Sequence, residues 1–195
     1  EGGLDGGLAM TTDRRVDMVS FTGSCTVGAK VAEQAAPTLK RLVLELGGKS
    51  AAIFLPDSAE RAAAHGLQVC TSHAGQGCVL GTRVFVPQDM KAKVLDAMAA
   101  AVANVKIGVA SDPATQLGPV ISAAQRARCE HFTQAAVAGG GRVVAGGKQP
   151  DHMDKGFYWE PTVLDVPDNA NPAAQEEIFG PVVTVIGYRD LDHAV

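Results

Sequence analysis

Cys78 lies in the stretch His73-Ala74-Gly75-Gln76-Gly77-Cys78, and Glu45 lies upstream in Leu44-Glu45-Leu46-Gly47-Gly48-Lys49. A thiol attacks a carbonyl only as the thiolate. Its ordinary pKa of about 8.5 must therefore be lowered by a helix N-terminus or a nearby positive charge. Gly75 and Gly77 permit close backbone approach to a ligand. A loop between helix and strand also leaves amides free to face a developing oxyanion. A partly buried carboxylate at the end of an apolar strand can hold a raised pKa and act as a general base for water. The two residues are thus candidate halves of a thioester chemistry, nucleophile and base. Each also has an ordinary structural reading. Free cysteine is among the most buried residue types, and Glu45 can be a strand-end carboxylate in solvent or paired with Arg41 or Lys49. Cys25, Cys70 and Cys129 are read as structural.

Two further stretches carry weaker signals. Phe21-Thr22-Gly23-Ser24 joins a strand to a helix. Ser24 and the amides at the helix start can hold a phosphate there, although an N-cap serine explains the same residue. Glu176-Glu177-Ile178-Phe179-Gly180-Pro181 precedes a strand. Glu177 can accept hydrogen bonds from ribose hydroxyls and Phe179 can pack on a flat ring; an acidic loop with a core phenylalanine is the alternative. The five histidines lack zinc spacing, so no metal is expected. His73 could form a dyad with Cys78 only through the fold, which keeps a Cys–His hydrolase in view.

The elements that must position these residues alternate. Strands are expected at 16–21, 39–46, 51–55, 82–86, 142–145, 160–166 and 182–188. Helices are expected at 27–36, from Asp57 to about 73 with Glu60 completing a capping box, at 89–105 and at 122–138. Such alternation predicts α/β layers with mostly parallel pairing. The connection from Gly108 to Pro119 reads as a loop, as do residues 139–155 outside their short strand.

The 195 residues, 46% hydrophobic and 19% charged, suffice for a sizeable core. A net charge of −4 gives no reason to expect nucleic acid or an anionic membrane as partner. No apolar run is long enough for a membrane span. Four cysteines without a CxxC pair fit a reducing compartment, here the cytoplasm. The chain opens on Glu1-Gly2-Gly3 and stops where an apolar, helix-compatible run begins, so both ends are read as cut.

Four weak signals in one order make a strong one. Phe21 to Ser24, then Glu45 to Lys49, then Gly75 to Cys78, then Glu177 to Pro181 resembles the aldehyde dehydrogenase superfamily. Ile107-Gly108 to Gly118-Pro119 and Glu160-Pro161-Thr162-Val163-Leu164 are similar to it as well. The resemblance implies a three-layer α/β fold with a mostly parallel sheet. Residues 1–46 would be the end of the NAD(P)-binding domain and 47–195 most of the catalytic domain. It implies oxidation of a small-molecule aldehyde to an acid with NAD or NADP, through a thiohemiacetal and a thioester on Cys78 that Glu45 helps hydrolyse. The Cys78 amide would be one oxyanion donor. Gly23, Ser24 and Val27 would follow the cofactor pyrophosphate and adenine. Leu46 (through its carbonyl), Gly47, Glu177 and Phe179 would surround the nicotinamide end. It further implies a homodimer or homotetramer. His73 and Ala74 depart from the family's usual aromatic and small polar residues. The half of the coenzyme domain with the ribose-binding lysine, the second oxyanion donor (an asparagine) and the C-terminal tunnel segment are missing, so the isolated chain is expected to be inactive. A CoA-acylating relative is expected to lack Glu45, and a non-catalytic homologue would not need Cys78 and Glu45 together.

Overall fold

Period-two alternation in the central strands sorts their side chains onto two faces, and each face requires its own cover of helices. The structure, a computed structural model, describes residues 3–195. The chain divides into two units, Glu1–Gly47 and Gly48–Val195.

Unit 1 runs α1 (Gly3–Thr12), β1 (Met18–Gly23), α2 (Cys25–Ala35) and β2 (Arg41–Leu46). The two strands pair in parallel, with Thr22 opposite Glu45 and Gly23 opposite Leu46. Leu42, Leu44 and Leu46 are half-buried, while Arg41, Val43 and Glu45 are exposed. The first strand begins later than its sequence pattern suggests. The Lys40 ammonium donates to the carbonyls of Asp13 and Val16 at 2.5 and 2.8 Å, which holds the preceding residues in a turn. α1 has no apolar period that would announce it, since its sequence GLDGGLAMTT is rich in glycine.

Unit 2 contains β3 (Ala51–Ile53), α3 (Ala62–Thr71), β4 (Arg83–Pro87), α4 (Lys91–Ala103), α5 (Ala123–Ala138), β5 (Arg142–Ala145), β6 (Thr162–Asp165), α6 (Pro172–Gln175), β7 (Val182–Tyr188) and α7 (Leu191–Ala194). The sheet order is β3-β4-β7-β6-β5. All neighbours are parallel except β5 and β6. Val84, Val86, Val163, Val183 and Val185 face α3 and α4 across one core. Phe85, Leu164, Val182 and Ile186 face α5 and α6 across the other. The result is the expected three-layer α/β arrangement with a mostly parallel sheet. β7, at the centre of the sheet, is buried along its whole length.

The capping box expected at Asp57 is not made. Ser58 occupies the cap position without a side-chain bond, a 3₁₀ turn fills Ala59–Arg61, and Glu60 is drawn 2.9 Å from Lys93 on α4. The α-helix therefore starts at Ala62 and stops at Thr71, short of residue 73. Among the described residues no helix is long and apolar enough to cross a membrane.

Leu164 is fully buried between β6 and α5, whereas Ile121 is 79% exposed. Leu164→Ala should cost about 2–5 kcal/mol of stability by urea unfolding, and Ile121→Ala should stay within about 0.5 kcal/mol.

Candidate active site

The thiol that the sequence singles out sits where a helix has been stopped abruptly. After Thr71 the chain makes a 3₁₀ turn over Ser72–Gly75. Its residues His73, Ala74 and Gly75 all have positive φ, at 50, 53 and 70°. Left-handed backbone at the two non-glycine positions costs roughly 1–2 kcal/mol each and needs compensation. Part of it comes from Ala74, which is buried with Leu117 and Val120 in a small separate core. The Gln76 side chain adds two bonds, donating to the His73 carbonyl at 3.1 Å and accepting from the Ile121 amide at 2.9 Å.

Gly75 has a different constraint. A Cβ there would fall 2.0 Å from the Gly180 carbonyl oxygen and 2.6 Å from the Pro181 nitrogen. Only glycine permits this contact, on grounds of both φ and space. Gly180 is pressed in turn on its other side, where a Cβ would lie 2.2 Å from the Cys129 sulfur. The contact brings the nucleophile loop against the Glu177–Pro181 loop, so two stretches that sequence reasoning treated separately form one construction.

Cys78 follows on a turn in which the Leu80 amide donates to the Gly77 carbonyl at 3.3 Å. The cysteine is exposed. Among the described residues the amides of Gly77, Cys78 and Val79 donate to no backbone carbonyl. They are free to meet an oxyanion formed at the sulfur. His73 is exposed, and among the described residues no hydrogen bond joins its ring to Cys78. That removes the geometric support for a Cys–His dyad. The other thiol environments differ. Burial pushes Cys70 and Cys129 up to about 12, which suits the structural role expected of them. Cys25 departs from that expectation, since it is exposed, its sulfur 3.7 Å from the Gly47 carbonyl.

Glu177 and Phe179 are held from behind by α5. Gln125 donates from Nε2 to the carbonyls of Ile178 and Phe179 at 2.7 and 2.6 Å. Arg128 donates to the Glu177 carbonyl at 3.0 and 2.5 Å. Phe179 adopts φ 59° and is 38% exposed, so its ring is not the core residue of the ordinary reading. Ile178 fills that place at 2% exposure. Gln125 and Arg128 carry no motif; their spacing on one helix face is the only trace in the sequence.

Lys49 entered the sequence reading only as a possible partner for Glu45. Its ammonium nitrogen is buried and, among the described residues, has no hydrogen-bond partner. Burial, with the Arg83 guanidinium adding to it, pushes the ammonium down to about 8 against the pull of Glu177.

In unit 1, Gly23 closes β1 and Ser24 caps α2, its hydroxyl accepting from the Val27 amide at 3.3 Å. Ser24 therefore serves the ordinary purpose of an N-cap and satisfies the Val27 amide, while among the described residues the Cys25 and Thr26 amides of the same turn have no hydrogen-bond acceptor. Val27 is 43% exposed at that helix start. Leu46 ends β2 half-buried and Gly47 follows it, its carbonyl facing the Cys25 thiol. Glu45 is exposed, which differs from the partial burial its apolar neighbours suggest. A two-stranded sheet has no second layer on that face to withdraw the carboxylate from water.

The sequence model of the Aldehyde dehydrogenase family matches residues 1–195. A curated relative from Staphylococcus epidermidis is 39% identical over 97% of this chain and 40% of its own length. A variant of aldehyde dehydrogenase C from Pseudomonas syringae, in complex with NAD+ and octanal, superposes with a TM-score of 0.93 at 38% identity, covering 100% of this chain and 40% of that one. A Mycobacterium tuberculosis aldehyde dehydrogenase complexed with NAD+ gives 0.92 at 42% identity, with 98% and 40% coverage. The chain thus spans about two-fifths of the length of the curated relatives it matches.

Alkylation with iodoacetamide should modify Cys78 faster than Cys25, while buried Cys70 and Cys129 stay unmodified until the protein unfolds. Gly75→Ala should abolish the advantage of Cys78 over Cys25, by peptide mass analysis, because its Cβ cannot share space with the Gly180 carbonyl.

Proposed function

Because this chain belongs to the aldehyde dehydrogenase family, we propose that it supplies the nucleophile and part of the cofactor site of an enzyme that oxidises an aldehyde to a carboxylic acid. The observation that carries this reading is the Gly75–Gly180 contact, which joins the Cys78 loop to the loop of Glu177 and Phe179. Nucleophile and cofactor contacts must be neighbours if a hydride is to leave a carbon attached to the cysteine.

In this reading the Cys78 thiolate adds to the aldehyde carbonyl carbon, and the carbonyl oxygen becomes an alkoxide facing the free amides around Cys78. NAD, or NADP in its place, supplies the hydride acceptor when bound. The residues present fit such a group: a half-buried carboxylate at Glu177 for ribose hydroxyls, an exposed Phe179 ring for a flat surface, and a helix start at Gly23, Ser24 and Val27 for phosphate. The Leu46 carbonyl and Gly47 belong to the nicotinamide end. Loss of the hydride leaves a thioester on Cys78. Glu45 takes a proton from water, whose oxygen attacks the acyl carbon; the C–S bond breaks, acid departs and the thiolate returns. The exposure of Glu45 suits a base that must reach water. The NAD+ held by the solved relatives favours NAD over NADP.

The domain division follows the same reading, with residues 1–46 closing the NAD(P)-binding domain and 47–195 forming most of the catalytic domain of a longer, cytoplasmic, homodimeric or homotetrameric protein. Two experiments test the proposal. Glu45→Gln in the full-length protein should keep the burst of reduced cofactor and slow steady-state acid release by about 10²–10⁴-fold; an unchanged steady state removes the role of Glu45. The 195-residue chain by itself should show no turnover with NAD+ and octanal, since the span it shares with its relatives is 40% of their length. Full turnover by this chain would refute that part.

A further inference from the structure

Between Thr71, where α3 ends, and Arg83, where β4 begins, the chain has neither α-helix nor strand. Among the described residues the amides of Gly77, Cys78 and Val79 donate to no backbone carbonyl, and the Leu80-to-Gly77 bond at 3.3 Å is internal to the turn. A stretch with so few bonds of its own is placed by the points at which it is attached to its surroundings. Two side chains supply such points, one on each side of Cys78. The first is Gln76. Its side-chain oxygen accepts from the Ile121 amide at 2.9 Å, and its Nε2 donates to the His73 carbonyl at 3.1 Å. One partner can only donate and the other only accept, so the carboxamide has a single working orientation. Ile121 directly precedes Ser122, the N-cap of α5, whose hydroxyl accepts from the Gln125 amide at 3.2 Å. Gln125 is the residue that holds the Ile178 and Phe179 carbonyls. The Cys78 loop and the Phe179 loop are therefore attached to the start of one helix.

The second point is His65 on α3, which packs on the opposite face of the sheet from α5. Its Nε2 lies 2.9 Å from the Gly81 carbonyl. A carbonyl only accepts, so the ring carries its proton on Nε2 and is the donor. An edge contact with Phe54 orients the imidazole, with ring centroids 5.5 Å apart and planes at 62°. Gly81 is pressed close to it, since a Cβ there would lie 3.2 Å from His65 Nε2 and 3.2 Å from the Ala52 Cβ. Cys78 stands between these two points, after Gln76 and before Gly81.

We infer that Gln76 and His65 are positioning residues for Cys78: by tying the two shoulders of its turn to opposite helical layers, they fix where the sulfur stands relative to the Phe179 loop. This rests on the proposed role of Cys78 as nucleophile. It assigns to neither residue a contact with substrate or cofactor. A turn attached at one shoulder can still swing about it; attachment at both shoulders removes that freedom. A displacement of about 1 Å at a reacting atom is enough to slow a reaction a hundredfold.

The test uses Gln76→Met and His65→Leu in the full-length protein, each removing one attachment. Two readouts are taken: the rate of the reduced-cofactor burst with NAD+ and octanal, and the Kd for NAD+ by titration calorimetry. Either variant should slow the burst roughly tenfold, the size of one hydrogen bond lost in the transition state, while the Kd for NAD+ stays within about twofold of wild type. His65→Gln, whose terminal amide donates at the reach of Nε2, should restore most of the rate. A wild-type burst in either variant overturns the inference. So does a slower burst matched by an equal loss of NAD+ affinity, which marks general loosening of the fold. His65→Gln as slow as His65→Leu overturns the part played by His65. Should Gln76→Met or His65→Leu not fold, Gln76→Asn or His65→Asn replaces it with the same expectation, because the shorter amide does not reach the same partners. Cys78→Ser separates the inference from the reading beneath it. If Cys78→Ser keeps the burst, Cys78 is not the nucleophile, and alkylation alone then judges the two attachments. Gln76→Met and His65→Leu should narrow the advantage of Cys78 over Cys25 towards iodoacetamide, and an unchanged advantage overturns the inference.

Discussion

The backbone contact between Gly75 and Gly180–Pro181 is the constraint on which the proposed chemistry of unit 2 depends. It closes a gap of more than a hundred residues in the chain without any side chain at the point of contact. On one side it fixes where the run of positive φ at residues 73–75 can lie, and therefore where Cys78 emerges. On the other it fixes the entry into β7, the buried central strand of the sheet. The loop that carries the proposed nucleophile is thereby referred to the buried central strand of the sheet, as a site held to sub-ångström tolerance requires.

The surroundings follow a consistent division of labour. Backbone amides near Cys78 are left free, while carbonyls near Glu177 and Phe179 are satisfied by Gln125 and Arg128. In the proposed reaction the free donors would meet an oxyanion; the satisfied acceptors serve rigidity. The thiols follow the same logic. Burial holds Cys70 and Cys129 in the neutral form, and the exposed Cys78 is the thiol that unit 2 offers to solvent.

Lys49 adds a different kind of cost. The protein tolerates a buried ammonium that, among the described residues, has no hydrogen-bond partner, where an apolar residue of the same size would be easier to accommodate.

Much of this was legible beforehand. Hydrophobic alternation in residues 82–86 and 182–188 announced strands, and the succession of strands and helices announced layered α/β architecture. The order of Gly23-Ser24, Glu45, Cys78 and Glu177–Phe179 named the family, because motif order survives in a linear chain. These are local properties, set by side-chain period and turn chemistry within a few residues. The capping box at Asp57 failed because Lys93, distant in sequence, draws Glu60 away. Glu45 is exposed because no layer covers that face of the two-stranded sheet, and an apolar strand sequence does not state what lies above it. The clamp from Gln125 and Arg128, the fit of Gly75 against Gly180 and the burial of Lys49 all arise between segments remote in the chain. Sequence by itself identified the residues capable of chemistry; their neighbours, exposure and charge environment came from how the chain returns on itself, since burial and Coulomb interaction depend on distance in space and not along the backbone.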